Sequence, residues 1–175
     1  GMSCAKVPDC TYSDVLLAMV KLGRAADAMK YHRKGYPLIR RNPGDLWHWG
    51  QHIAFLALTG NDARAIRLVE KHLPDVEGSH DPLSALTFFR SLLIVVECLA
   101  DRKEMAKLRL PAESPLAQPS GEYVLADLAE SVRKRVLELS GRFDRRNGNS
   151  YYEGLVEQAS AMRKYATKVP YQGQA

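Results

Sequence analysis

Two histidines spaced four residues apart are the strongest candidates for metal chemistry in this 175-residue sequence. His48 and His52 would lie on one face of a helix, so both could reach a single metal ion. The zinc-protease form of this pattern has a glutamate directly after the first histidine, and Trp49 stands there instead. We therefore expect a packed or hydrogen-bonded pair and no cofactor. A metal-dependent enzyme using His48 and His52 is the third-ranked hypothesis.

The remaining reactive residue types form no catalytic pattern. The sequence has no phosphate-binding loop, no dinucleotide-binding glycine motif and no nucleophile elbow. Asp81 directly precedes Pro82, which is typical of a helix N-cap and not of a catalytic carboxylate. Three cysteines without paired C-x-x-C spacing predict reduced thiols and no zinc site. We expect a protein that is not an enzyme.

Composition and charge limit the class of protein and its partners. Apolar residues make up 46% of the chain and charged residues 26%, as in folded globular domains. No secretory signal follows Met2, and no uninterrupted apolar stretch has the length of a membrane span, so we expect a cytoplasmic protein without membrane contact. The net charge is +5, with the excess in the first 60 residues. A solvated helix face explains this excess, and nucleic-acid binding through Arg33, Lys34, Arg40 and Arg41 is the alternative hypothesis.

Apolar periodicity predicts helices throughout the chain and no strand worth naming. Eight helices pair into four hairpins, at about 11–41, 45–74, 82–110 and 122–168. The third hairpin includes a short helix at about 103–110, and three prolines between Pro111 and Pro119 predict a linker after it. The predicted organisation is one all-α domain over 9–168, with flexible ends at 1–8 and 169–175.

Two segments of the sequence repeat the same pattern around a glycine. Gly23 and Gly60 are 37 residues apart (60 minus 23). Each follows apolar residues at positions −7 and −4 and precedes an alanine at position +5; the pattern residues are Leu16, Met19 and Ala28 in the first segment and Ile53, Leu56 and Ala65 in the second. Glycine permits a tight turn, and a small alanine lets two antiparallel helices approach closely.

This pattern resembles the tetratricopeptide-repeat (TPR) family, whose units are helix–turn–helix hairpins of about 34 residues. Trp49 stands where the family has a large aromatic residue early in the first helix, and Tyr12 matches it one unit earlier. A third unit, around Phe89 and Leu93, is weaker because it lacks the turn glycine. The resemblance implies a right-handed α–α superhelix of about four hairpins. A non-repetitive helical bundle is the alternative fold.

The resemblance also implies a function. TPR-like arrays bind peptides or protein partners in a concave groove lined by the first helix of each hairpin, which suggests an adaptor or regulatory module. The positions expected to face this groove are Leu17, Lys21, Trp47, Gln51, Ala54, Leu58, Arg90, Ile94 and Glu97. Within this set, Arg90 would bind a carboxylate, and Trp47 and Leu58 would supply apolar contacts. Short arrays leave apolar end faces, so a homodimer is also possible.

Overall fold

The computed structural model describes residues 9–171, and helices dominate it. The α-helices are α1 (Asp9–Lys21), α2 (Ala25–Ile39), α3 (Leu46–Leu58), α4 (Asp62–Glu77), α5 (Pro82–Ala100), α6 (Leu125–Asn147) and α7 (Tyr151–Ser160). Two short 3₁₀ helices, Pro43–Asp45 and Ala161–Tyr165, precede α3 and follow α7. The predicted all-α class is confirmed.

The two repeated glycines form the turns between α1 and α2 and between α3 and α4. Gly23 has φ +72° and Gly60 has φ +74°, a region that favours glycine because it has no Cβ. Ala28 and Ala65, five residues later, are completely buried. Within each pair, the second helix therefore packs closely on the first.

The expected helix at 103–110 does not form, and the expectation that the chain has no strands was wrong. Residues Met105–Lys107 form strand β1, which pairs antiparallel with strand β2, Glu122–Val124. Leu108 N–H donates to the Gly121 carbonyl at 2.9 Å and extends this ribbon. Burial alternates here, because Ala106 and Leu108 face inward while the residues beside them are exposed. This period of two is that of a strand.

The odd-numbered helices pack in chain order, α1 against α3 and α3 against α5, and each of α2, α4 and α6 packs against the helix before it. The partner of α5 is therefore α6, and the β-ribbon lies in the connection between them. By length and composition α5 could span a membrane, but 72% of its most apolar stretch is buried within the protein, against α3, α6 and α7. The superhelical arrangement of these hairpins stays a prediction.

The C-terminal segment Ala161–Tyr171 packs back onto the helices. Its 3₁₀ helix contacts α1, α3 and α5. Thr167 N–H donates to the Leu58 carbonyl at 2.9 Å, and Val169 N–H donates to the Thr59 carbonyl at 3.1 Å. Residues 169–171 are therefore held in place, contrary to the expected flexible end from 169 onward. Residues 1–8 and 172–175 lie outside the described part of the chain.

Candidate functional site

The predicted groove residues lie on one side of the α3–α5 pair. Gly50 marks the contact between these helices, because a Cβ at this position would lie 2.8 Å from Ser91 Oγ. Trp47, Gln51, Ala54 and Leu58 form a stripe on α3 at helical spacing beside this contact, and Arg90, Ile94 and Glu97 form the matching stripe on α5. Because α3 and α5 touch along Gly50 and Ser91, the spacing of 3.6 residues per turn directs both stripes to the same side.

The half of this groove near the carboxyl ends of α3 and α5 is already covered. Leu58 has no solvent exposure, and Ile94 and Glu97 are also buried. The C-terminal segment Ala161–Tyr171 crosses this region and places Met162, itself 4% exposed, in the core. The prediction that Leu58 and Glu97 contact a partner is therefore wrong for this conformation, since neither side chain is accessible.

Glu97 is bound by cations of the chain itself. Arg133 Nη2, from α6, lies 2.6 Å from Glu97 Oε1. Ser160 Oγ donates to the same oxygen at 2.9 Å, and Arg163 Nε lies 3.4 Å from Oε2. Burial of a carboxylate is favourable only when such partners replace its water. The cluster joins α5, α6 and the C-terminal segment, so its role is structural.

The half near the amino ends of α3 and α5 is open. Trp47 is 45% exposed, and Gln51 and Arg90 are partly exposed. On α1, Leu17 is partly exposed and packs against the core, while Lys21 is exposed at the end of the helix. Five of the nine positions predicted to face the groove are thus accessible, and the other four, Ala54, Leu58, Ile94 and Glu97, are buried.

In the open half of the groove, Arg90 is a charged side chain that is partly buried. Burial lowers the pKa of its guanidinium group below the usual value, while electrostatic interaction with Tyr151 and Tyr152 at the start of α7 opposes this shift. Its Nε is buried and has no hydrogen-bond partner, and Arg90 forms no ion pair within residues 9–171. A half-buried cation without an acceptor is a candidate site for a carboxylate from another molecule.

The two histidines of the metal hypothesis make separate contacts. His48 Nδ1 lies 3.7 Å from Asp14 Oδ1 on α1. His52 has no solvent exposure, and its Nδ1 lies 2.9 Å from His32 Nδ1, while its Nε2 lies 3.3 Å from Ser13 Oγ. Over the described range 9–171, no group of three His, Cys, Asp or Glu residues is arranged to bind a metal ion.

His52 belongs to a buried polar cluster where α3 contacts α1 and α2. Burial lowers the pKa of His32 to about 3, with Arg64 and Arg33 adding to the effect. Burial, followed by the neighbouring His32, lowers the pKa of His52 well below its usual value. The short contact between their Nδ1 atoms needs one donor and one acceptor, so at least one ring must be neutral, and the lowered pKa values of His32 and His52 keep both rings neutral near pH 7. Neutral rings of this kind pack and orient the helices.

His72 forms the second part of this cluster. Its ring stacks on Trp49 with 4.0 Å between centroids, and its Nε2 hydrogen-bonds the Tyr36 hydroxyl at 2.8 Å. Burial lowers the pKa of His72 to about 4. The large aromatic that the repeat pattern identified at position 49 is therefore a packing residue between α3 and α4.

Sequence reasoning missed two features of this region. The first is Tyr151 and Tyr152 beside Arg90, whose proximity depends on the placement of α7 and has no local sequence signal. The second is a cavity of about 900 Å³ between α4, α5 and α6, lined by residues of the predicted proline-rich linker. Oppositely charged side chains surround this cavity, and Arg135 and Arg142 there are already paired with Glu138.

None of the family models, curated proteins or solved structures compared with this chain matches it. The TPR resemblance therefore rests on the residues of the two repeated segments.

Proposed function

We propose that this chain is a protein-interaction module that binds a peptide segment of a partner in the open half of the groove. The peptide carries a carboxylate, from an acidic side chain or a C-terminus. The observation that supports this proposal is Arg90, a half-buried guanidinium with no ion-pair partner in the part of the chain that the structure describes.

The surroundings of Arg90 suit a peptide. Trp47 offers an exposed indole and Gln51, one turn later on α3, offers an amide that can both donate and accept. Aromatic and arginine side chains are the residues that most often dominate the binding energy of protein interfaces. An apolar anchor beside Trp47 and a carboxylate at Arg90 would fix both position and direction of a bound segment.

Because half of the groove is covered, only a short segment of a partner can bind in it. Leu58 and Ile94 are buried, and the C-terminal segment Ala161–Tyr171 hydrogen-bonds the Leu58 and Thr59 carbonyls, so a ligand cannot continue along α3 beyond that point. The open part of α3, from Trp47 to Gln51, is about one helical turn, or roughly 6 Å. A short anchor of a few residues therefore fits better than a long helix.

Affinity capture with a site-specific crosslinker tests this function. A photoreactive amino acid at Gln51 should crosslink a host protein in a nuclease-treated lysate, and the crosslinked peptide, identified by mass spectrometry, should contain an acidic residue or a C-terminus. The same crosslinker at Leu137, which is 41% exposed on α6, is the matched control.

Two double variants complete the experiment. Trp47→Ala with Arg90→Ala should abolish the Gln51 crosslink, whereas Leu137→Ala with Arg145→Ala should leave it intact. The proposal is wrong if the Gln51 and Leu137 positions capture the same proteins. It is also wrong if the groove variant folds and retains its partner with unchanged affinity.

A further inference from the structure

A basic face covers the side of the molecule formed by α2 and α4. Its seven cations are Arg33, Lys34, Arg40, Arg41, Arg64, Arg67 and Lys71. Two hydrogen bonds link these helices. One joins the Tyr36 hydroxyl to the His72 ring, and in the other Lys71 Nζ donates to the Arg40 carbonyl at 3.4 Å. The sequence-based alternative named the first four cations. The structure adds the three from α4.

The cations of this face have no carboxylate partners among the described residues. Within residues 9–171, none of the seven forms a salt bridge. Elsewhere in the same range many basic residues do, including Arg133 with Glu97, Arg142 with Glu138 and Arg102 with Asp62. These cations are therefore not engaged in ion pairs within that range, and their charge is available to an anionic partner.

The acidic residues of α4 lie mostly on its other side. Asp62 pairs with Arg102, Glu70 accepts from the Arg109 N–H at 2.8 Å, and Glu77 accepts from the Ser114 hydroxyl at 2.8 Å. All three contacts are to the connection between α5 and α6. Asp75 is the acidic residue that shares the side of Arg64, Arg67 and Lys71. This segregation separates the charges of α4 into a basic side facing α2 and an acidic side facing away.

Tyr171 fixes two of the arginines. The Arg64 guanidinium lies 3.7 Å from the centre of the Tyr171 ring, and the Arg33 guanidinium lies 5.1 Å from it. Tyr171 N–H donates to Asn61 Oδ1, which anchors the tyrosine to the turn between α3 and α4. Stacking of this kind reduces the side-chain freedom that binding would otherwise remove.

We infer that the basic face binds the phosphodiester backbone of a nucleic acid without sequence specificity. Five cations on α2 and α4, two helices about 22–24 Å long, together with Arg40 and Arg41 directly after α2, match a repeating polyanion. An anionic membrane is less well matched, because an interfacial surface also needs a row of large apolar side chains. On α2, Tyr31 and Leu38 are the exposed large apolar residues. This inference does not depend on the proposed groove function.

Titration of labelled nucleic acid with the full chain tests the inference. The probes are a 20-base-pair DNA duplex, an RNA duplex and a single strand of each, at salt concentrations from 50 to 200 mM. With about five phosphate contacts, affinity should fall about 500-fold over this range, since log K falls by about 0.9 per contact per log unit of salt. Phosphatidylserine vesicles and neutral vesicles provide the comparison with a membrane.

Two matched triple variants locate the surface. Lys34→Gln, Arg41→Gln and Arg67→Gln change the basic face, and Arg109→Gln, Lys134→Gln and Arg145→Gln change exposed cations elsewhere. Each variant lowers the formal net charge from +5 to +2 (5 minus 3). The face variant should lose at least tenfold in affinity and about 2.7 in salt slope, whereas the control should lose less than threefold.

Three results would overturn the inference. They are the absence of nucleic-acid binding at 50 mM salt, equal losses in the two triple variants, and binding to phosphatidylserine vesicles without binding to nucleic acid. The groove variant Trp47→Ala with Arg90→Ala should bind nucleic acid normally. Failure of the groove proposal and failure of this inference are thus distinguishable.

Discussion

Arg90 and Glu97 are seven residues apart on the same stripe of α5, yet among the described residues only Glu97 has ion-pair partners. Glu97 is surrounded by Arg133, Ser160 and Arg163, whereas Arg90 has no carboxylate partner within residues 9–171. One end of the groove is therefore closed by the protein itself and the other end retains an unsatisfied charge. The difference shows that helix periodicity identifies a shared face but not which part of it stays accessible.

Acidification should have the largest effect, because it acts on the buried cluster of His32, His52 and His72. His32 and His72 have folded-state pKa values of about 3 and about 4, below the usual 6.5, so the unfolded chain takes up protons first as the pH falls. The stabilisation that depends on these neutral histidines is fully present above about pH 6.5. It is lost progressively as the pH falls from there toward their folded-state pKa values. Between pH 7.5 and 5.0 each histidine should cost about 2 kcal/mol.

Urea unfolding at the two pH values measures this loss. His32→Gln should reduce the difference between them, and His80→Gln, at an exposed position, should leave it unchanged. A free energy of unfolding that is the same at pH 7.5 and 5.0 would contradict the neutral, buried state of these rings.

The second-largest effect is expected from truncation of an apolar side chain, which should destabilise the covered half of the groove more than the open half. Leu58→Ala removes a fully buried side chain under the C-terminal segment and should cost about 3 kcal/mol. Trp47→Ala removes a larger but half-exposed side chain and should change the free energy of unfolding by less than about 0.5 kcal/mol. Chemical denaturation of both variants measures the contrast, and equal losses would show that the groove is not divided as described.

A smaller loss is expected when the Glu97 cluster is opened. Arg133→Ala removes the 2.6 Å contact with Glu97 but leaves Arg163 and Ser160, so the expected cost is about 2 kcal/mol. Arg135→Ala, two residues away on α6, breaks an exposed pair with Glu138 and should change stability little. Thermal unfolding of the two variants compares them directly. If Arg135→Ala proved as destabilising as Arg133→Ala, the buried cluster would have no special structural role.

The sequence was sufficient for features that depend on neighbouring residues. Gly23 and Gly60 predict turns that need positive φ, and the alanines five residues later predict close helix contacts, since both signals are local. The β-ribbon could not be predicted in this way, because Met105–Lys107 becomes a strand by pairing with Glu122–Val124, 15 to 19 positions further along the chain. The covering of Leu58 by the C-terminal segment also could not be predicted from the sequence. The hydrogen bond from Thr167 to the Leu58 carbonyl joins segments separated by more than 100 residues.

A small expected gain in stability at Arg90 has the clearest meaning for function. Arg90→Met keeps an unbranched apolar stem but removes a charge that is partly desolvated and has no ion-pair partner in the described range. Replacing such a charge with an apolar group should stabilise the fold by about 1 kcal/mol, because the cost of desolvating the guanidinium disappears. Chemical denaturation measures the gain, and crosslinking from Gln51 in the same variant measures partner binding. A residue retained for packing would lose stability on this substitution and leave the crosslink unchanged, whereas a residue that binds a carboxylate should gain stability and lose the crosslink.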